Sequence, residues 1–181
     1  ENDDILARKG VALLHQGDCS GAIATFDRML AGNPHNLEAL YGKARALEHL
    51  GHFQDAADCY RMITATDPGN TPALHRQGSL LLRSGRYAEA IECFDRIALA
   101  DPDDAVARYS LGLIYDTLGL YDRAVKNFDH ILKHDQSKIH VWYAHGMALF
   151  HLGQYAEAVR SFDRVLEGRA MAGMKWIGSS T

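Results

Sequence analysis

An all-α array of stacked helix pairs is predicted by three observations on the 181-residue sequence. The first is a period. Gly17, Gly51, Gly85, Gly119 and Gly153 recur at one constant step without insertion, and Ala22, Ala56, Ala90, Ala124 and Ala158 keep the same step. So do the aromatics Phe26, Tyr60, Phe94, Phe128 and Phe162. A repeat of roughly 20–50 residues marks a solenoid or array. The second is helical stepping inside the period: Leu74, Gly78, Leu81 and Leu82 precede Gly85, and Tyr87, Ala90, Ile91, Phe94 and Ile97 follow it, at spacings of three and four. The third is composition. With 47% hydrophobic and 23% charged residues, only four prolines and no apolar run near the roughly 20 residues of a membrane span, the chain reads as folded and soluble.

Five units follow, at 3–36, 37–70, 71–104, 105–138 and 139–172, with a tail at 173–181. Each opens with a first helix that stops at its periodic glycine, where a left-handed residue costs least in the absence of a Cβ. The second helix ends before Asn33-Pro34, Asp67-Pro68 and Asp101-Pro102, because proline lacks an N–H and pushes its predecessor out of the α region. Asn36, Asn70 or Thr71, Asp104 and Ser137 then offer side-chain oxygens as N-caps for the next unit. Within a unit, Gly10, Ala44, Gly78, Gly112 and Gly146 form a small-residue series facing the Ala90 series, where two antiparallel helices approach and Phe94 fills the space beside them. Enlarging Ala90 to Leu would overpack that crossing at about 1–3 kcal/mol. No helix pair buries its apolar stripe alone, so stability has to come from stacking.

A formal net charge of −4 argues against wholesale attraction to nucleic acid or anionic membrane. Three cysteines do not make a disulfide scaffold, and Cys59 and Cys93, one period apart, are expected about 10 Å from each other, beyond disulfide reach. The first residues are acidic and lack a secretory-signal pattern, and a chain opening at Glu1 is expected to be a piece of a longer one. Ten histidines raise metal binding, above all His130 and His134 at i and i+4, but two ligands fall short of the three or four a zinc site needs, so no metal is expected. No phosphate loop, nucleophile elbow or poised carboxylate pair appears, so neither enzymatic activity nor a cofactor is expected. Runs such as Phe94-Asp95-Arg96 read as surface decoration after a core aromatic.

The pattern resembles the tetratricopeptide repeat: Trp142, Gly146, Leu149, Gly153, Tyr155, Ala158, Phe162 and Val165 in the fifth unit, and Leu74, Gly78, Leu81, Gly85, Tyr87, Ala90, Phe94, Ile97 and Pro102 in the third. Departures are Ala44 at the glycine position, Arg108 at an apolar one, and Gln136 and Ala170 in place of the closing proline. The resemblance implies a right-handed α-solenoid whose first helices line a concave groove and whose second helices form its back. The face so implied carries Tyr41, His75, Tyr109 and Tyr143, with Arg45, Arg76, Arg83, Leu113, Met147 and Phe150 beside them. The tyrosines are candidates for peptide contact, offering a ring and a hydrogen-bonding tip; the alternative is that they shield the crease between units. Arg45, Arg76 and Arg83, with His49 and His75, suggest a basic middle that would engage a carboxylate, while Leu113, Met147 and Phe150 suggest an apolar C-terminal part. Glu48 and Asp116 are the groups that would neutralise those arginines instead. Some family members clamp chaperone tails; of the corresponding positions Ala7, Val11, Gly42, Pro72 and Arg76, only Arg76 matches, which disfavours that ligand.

The expected function is therefore a cytoplasmic protein-interaction scaffold for a protein or peptide segment, acidic with bulky apolar residues, and not for nucleic acid or membrane. The alternatives are a regulatory or targeting arm of a larger enzyme, and a self-assembling module. Trp176 falls one full period after Trp142, so Met174 to Ile177 read as the opening of a further first helix, either a cap or the cut end of a longer array open to end-to-end association.

Overall fold

The computed structural model describes the backbone of residues 2–177 and the side chains of residues 2–168. Among the described residues there are ten helices and no strand: α1 (Asn2–His15), α2 (Cys19–Gly32), α3 (Leu37–Leu50), α4 (Phe53–Thr66), α5 (Thr71–Arg83), α6 (Tyr87–Ala100), α7 (Ala105–Thr117), α8 (Tyr121–His134), α9 (Ile139–His151) and α10 (Tyr155–Ile177). They fall into two compact units that divide between Arg96 and Ile97, within α6.

The helix ends follow from local chemistry. All five periodic glycines have φ between 74° and 81°. At Gly51 the left-handed turn lets its N–H reach Glu48 O and the His52 N–H reach Leu47 O at 2.9 Å, satisfying carbonyls at the end of α3. Asn36, Asn70 and Asp104 cap the next helices by accepting from Ala39, Ala73 and Ala107 N–H. The fourth expected cap differs: Lys138, not Ser137, is the N-cap of α9 and makes no side-chain cap bond, while the Ser137 N–H and hydroxyl donate to Asp135. Closure of α8 is unaffected by Gln136, since the Asp135 N–H reaches Ile131 O at 2.9 Å much as Asp67 N–H reaches Ile63 O at 2.8 Å. The end of the fifth pair also differs. Helix α10 runs unbroken to Ile177, so residues 173–177 continue a second helix and do not open a first one. With Ala170 where proline stands elsewhere, nothing blocks continuation. The Trp176 side chain and residues 178–181 lie outside the described residues.

In the first unit, a Cβ on Gly10 would sit 2.6 Å from Phe26 Cζ, and one on Gly78 2.9 Å from Phe94 Cζ; both rings are fully buried. The small residue is thus the seat of the aromatic ring. The second repeat solves the same crossing differently, with Ala44 and Tyr60: the buried Tyr60 ring carries a hydroxyl that donates to Glu48 Oε1 at 2.6 Å. Successive repeats are joined by Lys43 to Asp27 at 2.7 Å, by the Thr64 hydroxyl donating to Gln77 Oε1 at 3.0 Å, and by Arg96 donating to Pro68 O at 2.8 Å. Asp27 and Arg96 belong to the runs expected to be surface decoration. They instead reach the neighbouring repeat. Cys19, Cys59 and Cys93 are free and buried, and burial raises the thiol of Cys59 and pushes that of Cys93 up to about 11.

In the second unit, Gly146 seats Phe162 at 2.7 Å and Gly112 seats Phe128. His145, which nothing in the sequence singles out, is buried between neighbours, with Nε2 3.1 Å from Asp129 and Nδ1 2.9 Å from Ser161 Oγ. Trp142 Nε1 donates to Gln136 O at 2.9 Å, holding the loop that lacks its proline.

Candidate functional site

The first unit gathers the predicted arginines. Arg45 on α3 and Arg76 and Arg83 on α5 line one open cleft of about 360 Å³ together with Glu48, His49 and Phe53. Helical spacing explains why they meet: Arg45, Glu48 and His49 recur at steps of three and four on α3, and Arg76 and Arg83 stand two turns apart on α5. Arg83 lies over the Phe53 ring at 4.1 Å from its centroid, a stacking that leaves the guanidinium edge available to an anion. Arg76, 64% exposed at its side chain, meets Glu48 Oε2 at 3.5 Å, so of the two acids expected to neutralise the arginines Glu48 does so once. Asp116 does not; it faces His151 Nδ1 at 3.3 Å. Arg45 makes no ion pair among the described residues. Three guanidiniums against one carboxylate leave the cleft positive.

Tyr41 and His75 are placed otherwise. Tyr41 is half-buried, its ring edge-on to Tyr60 at 5.8 Å, and its hydroxyl donates to Asn70 Oδ1, the N-cap oxygen of the next repeat. Burial, and secondarily the charge of Asp67, raise the Tyr41 hydroxyl above its ordinary pKa. His75 is half-buried, with its ring 6.3 Å from Phe94, and does not line the cleft.

The second unit holds the remaining candidates. Tyr109 is half-buried between Phe128 at 5.9 Å and His140 at 5.1 Å, and burial raises its hydroxyl pKa. Leu113 and Met147 are half-buried. Tyr143 and Phe150 are 54% and 51% exposed, the first resting on Phe162 at 6.1 Å and the second edge-on to Tyr155 at 5.4 Å. The tyrosine series therefore divides: Tyr41 and Tyr109 are engaged by the next repeat, whereas Tyr143 presents its ring outward.

The sequence-based site candidates do not include Phe53, Tyr121 or Tyr155, which open second helices. The signal was a shared offset slightly shorter than the period. Arg83 stacks on Phe53 and His151 lies 5.0 Å from Tyr121, both pairs separated by the same stretch of chain, so the last residue of a first helix lies over the aromatic that opens the preceding second helix. No described helix is long and apolar enough to cross a membrane.

Comparison with known proteins accords with this geometry. The sequence matches the tetratricopeptide repeat family over residues 13–77, and again over 75–139 and 116–173. No curated protein matches the sequence significantly. Among solved structures, a MamA protein superimposes with a TM-score of 0.89 at 25% identity, covering 96% of this chain and 95% of that one. MamA from residue 41 to its end, from Desulfovibrio magneticus RS-1, gives 0.84 at 22% identity over 94% and 97%. YrrB, a tetratricopeptide-repeat protein with an unusual peptide-binding site, gives 0.81 at 17% identity over 91% and 85%. With family matches spanning most of its length, the chain belongs to the tetratricopeptide repeat family, and its fold is that family's all-α solenoid.

Proposed function

We propose that this protein is a non-catalytic interaction scaffold, whose first unit holds a carboxylate-bearing peptide segment in the Arg45, Arg76 and Arg83 cleft. The observation that carries the reading is the charge imbalance there: three guanidiniums share one carboxylate, and that carboxylate also accepts the Tyr60 hydroxyl. An acidic side chain or terminal carboxylate fits such a set bidentately. The second unit offers the exposed Tyr143 and Phe150, and the half-buried Met147 and Leu113, for bulky apolar side chains. Tyr41 and Tyr109 are assigned to holding repeats in register. A solved relative in fold, YrrB, has a peptide-binding site, which supports the class of ligand and not its sequence.

The test uses two fluorescent peptides, one alternating Asp with Leu and Phe and one with Asn in place of Asp, titrated by anisotropy into the full chain. The acidic peptide is expected to bind more tightly, to weaken with added salt, and to lose at least tenfold in affinity on the combined Arg45→Ala, Arg76→Ala and Arg83→Ala substitution. Equal affinity for both peptides, or none for either, removes the arginines from the function.

A further inference from the structure

Sharing no residue with either of those surfaces, three metal-ligating side chains converge in the second unit. His130 and His134 lie one turn apart on α8, their ring centroids 5.2 Å from each other. Asp103 arrives from the loop before α7. Its Oδ1 is 2.8 Å from His130 Nε2 and 3.5 Å from His134 Nε2, and one ligand atom from each of the three residues lies within 4.8 Å of the others. Asp103 is the third donor that the helical pair lacks by sequence, and no helical spacing could announce it, because it belongs to the end of the preceding repeat.

The distances suit a small ion. A tetrahedral centre about 2.1 Å from each donor sets the donors roughly 3.4 Å apart. The Asp103 to His134 separation already meets this, and the Asp103 to His130 separation has to open by roughly half an ångström, a side-chain adjustment on a partly exposed surface. Two imidazoles and one carboxylate select a borderline transition-metal ion over Mg²⁺ or Ca²⁺, which want oxygen cages. The donor loop is held in place: the Asp103 N–H donates to Asp101 Oδ1 at 3.1 Å and Arg108 Nε donates to Pro102 O at 2.9 Å.

We infer that Asp103, His130 and His134 form a three-ligand site for a Zn²⁺-class ion, clipping the loop before α7 to α8, with at least one coordination position open to water or to a side chain of another molecule. The site is independent of the peptide cleft, which shares none of these residues.

Zn²⁺ itself is the probe, titrated into the full chain against a chromophoric chelator, with Co²⁺ as a spectroscopic substitute. One ion per chain is expected, with a micromolar Kd, a Co²⁺ absorption band of four-coordinate intensity, and a rise in Tm on loading. Asp103→Asn, His130→Gln and His134→Gln should each weaken binding by roughly tenfold or more, while His15→Gln, at a histidine of the first unit, should change nothing. Circular dichroism identifies any variant that fails to fold, and the other two then decide. Absence of Zn²⁺ binding, or binding that survives all three substitutions or falls equally in His15→Gln, overturns the inference.

Discussion

Replacing Glu48 by Gln separates the stability of the first unit from its charge, because one side chain serves both. The carboxylate accepts the buried Tyr60 hydroxyl at 2.6 Å and lies 3.5 Å from Arg76. Glutamine keeps an acceptor for Tyr60 but converts a charge-assisted bond into a neutral one. Bonds to charged groups contribute about 1.5–3 kcal/mol and neutral ones about 0.5–1.5, so the loss is about 1 kcal/mol. The exposed pair with Arg76 adds a few tenths of a kcal/mol at most. A fall in Tm of roughly 2–6 °C follows for a chain of this size. Affinity for an anionic peptide moves the other way. Removing a carboxylate roughly 8 Å from the bound one, at a dielectric constant of about 40–80, relieves about 0.5–1 kcal/mol of repulsion and raises affinity about two- to fivefold. The gain should shrink as salt shortens the screening length. Thermal melts followed by circular dichroism and anisotropy titration with the acidic peptide read the two effects. The reasoning fails if affinity falls together with stability, or if stability does not change.

The other expectations concern the scaffold and its surfaces. Gly85→Ala meets no atom within 4 Å but places an L residue at φ +75°, so it should destabilise by about 1 kcal/mol through backbone strain alone, measured by urea titration; Gly78→Leu, 2.9 Å from the Phe94 ring at its first carbon, should cost well above that. Tyr143→Ala should leave Tm nearly unchanged, whereas Tyr41→Ala, which strips the Asn70 cap of a partner and Tyr60 of an edge contact, should lower it by several degrees. Asp103 and Asp135 have folded-state pKa values depressed by hydrogen bonds, from His130 and from Ser137 respectively, as does Glu89 beside Arg86. A depressed carboxyl stabilises the fold above its unfolded value and loses that contribution as pH falls through the folded one, so stability should hold above about pH 4 and decline below it. Asp103→Asn should make that acid decline shallower in a pH series of melts.

Period and turn chemistry carried most of the fold into view before any coordinates. A glycine that must turn left-handed and an Asp-Pro that must stop a helix act through their own backbone, so they are legible one residue at a time. What escaped depends on contacts between repeats. Asp27 and Arg96 look like helix decoration in sequence, yet bind Lys43 and the Pro68 carbonyl. The arginine cleft was visible because its arginines lie on first helices, but Phe53, which lines it too, was not, since it opens the second helix α4. Tyr41 and Tyr143 occupy the same position three repeats apart and have different fates. The difference lies in Asn70, the N-cap of the following repeat's first helix, which gives the Tyr41 hydroxyl a partner, and no period reports on that.

Ala44 reads in sequence as a mild lapse from glycine, and the packing gives it a purpose. Glycine elsewhere in this series leaves room for a phenylalanine ring, whereas the second repeat carries a methyl there and buries it in one cluster with a tyrosine. That aromatic is Tyr60, whose hydroxyl fixes Glu48, which in turn meets Arg76 in the cleft. A double-mutant cycle tests whether the departure and the site are one arrangement. Ala44→Gly alone should cost about 1–2 kcal/mol from helix propensity and lost packing. Tyr60→Phe alone should cost about 1–2 kcal/mol from the lost bond to a charged acceptor. Together they recreate the Gly78 and Phe94 pairing of the third repeat, so the double variant should be more stable than the sum of the two losses by about 0.5 kcal/mol or more. Strict additivity, within about 0.3 kcal/mol in urea titrations, would mean that Ala44 does not position Tyr60, and the link from the repeat's departure to its charged cleft would be broken.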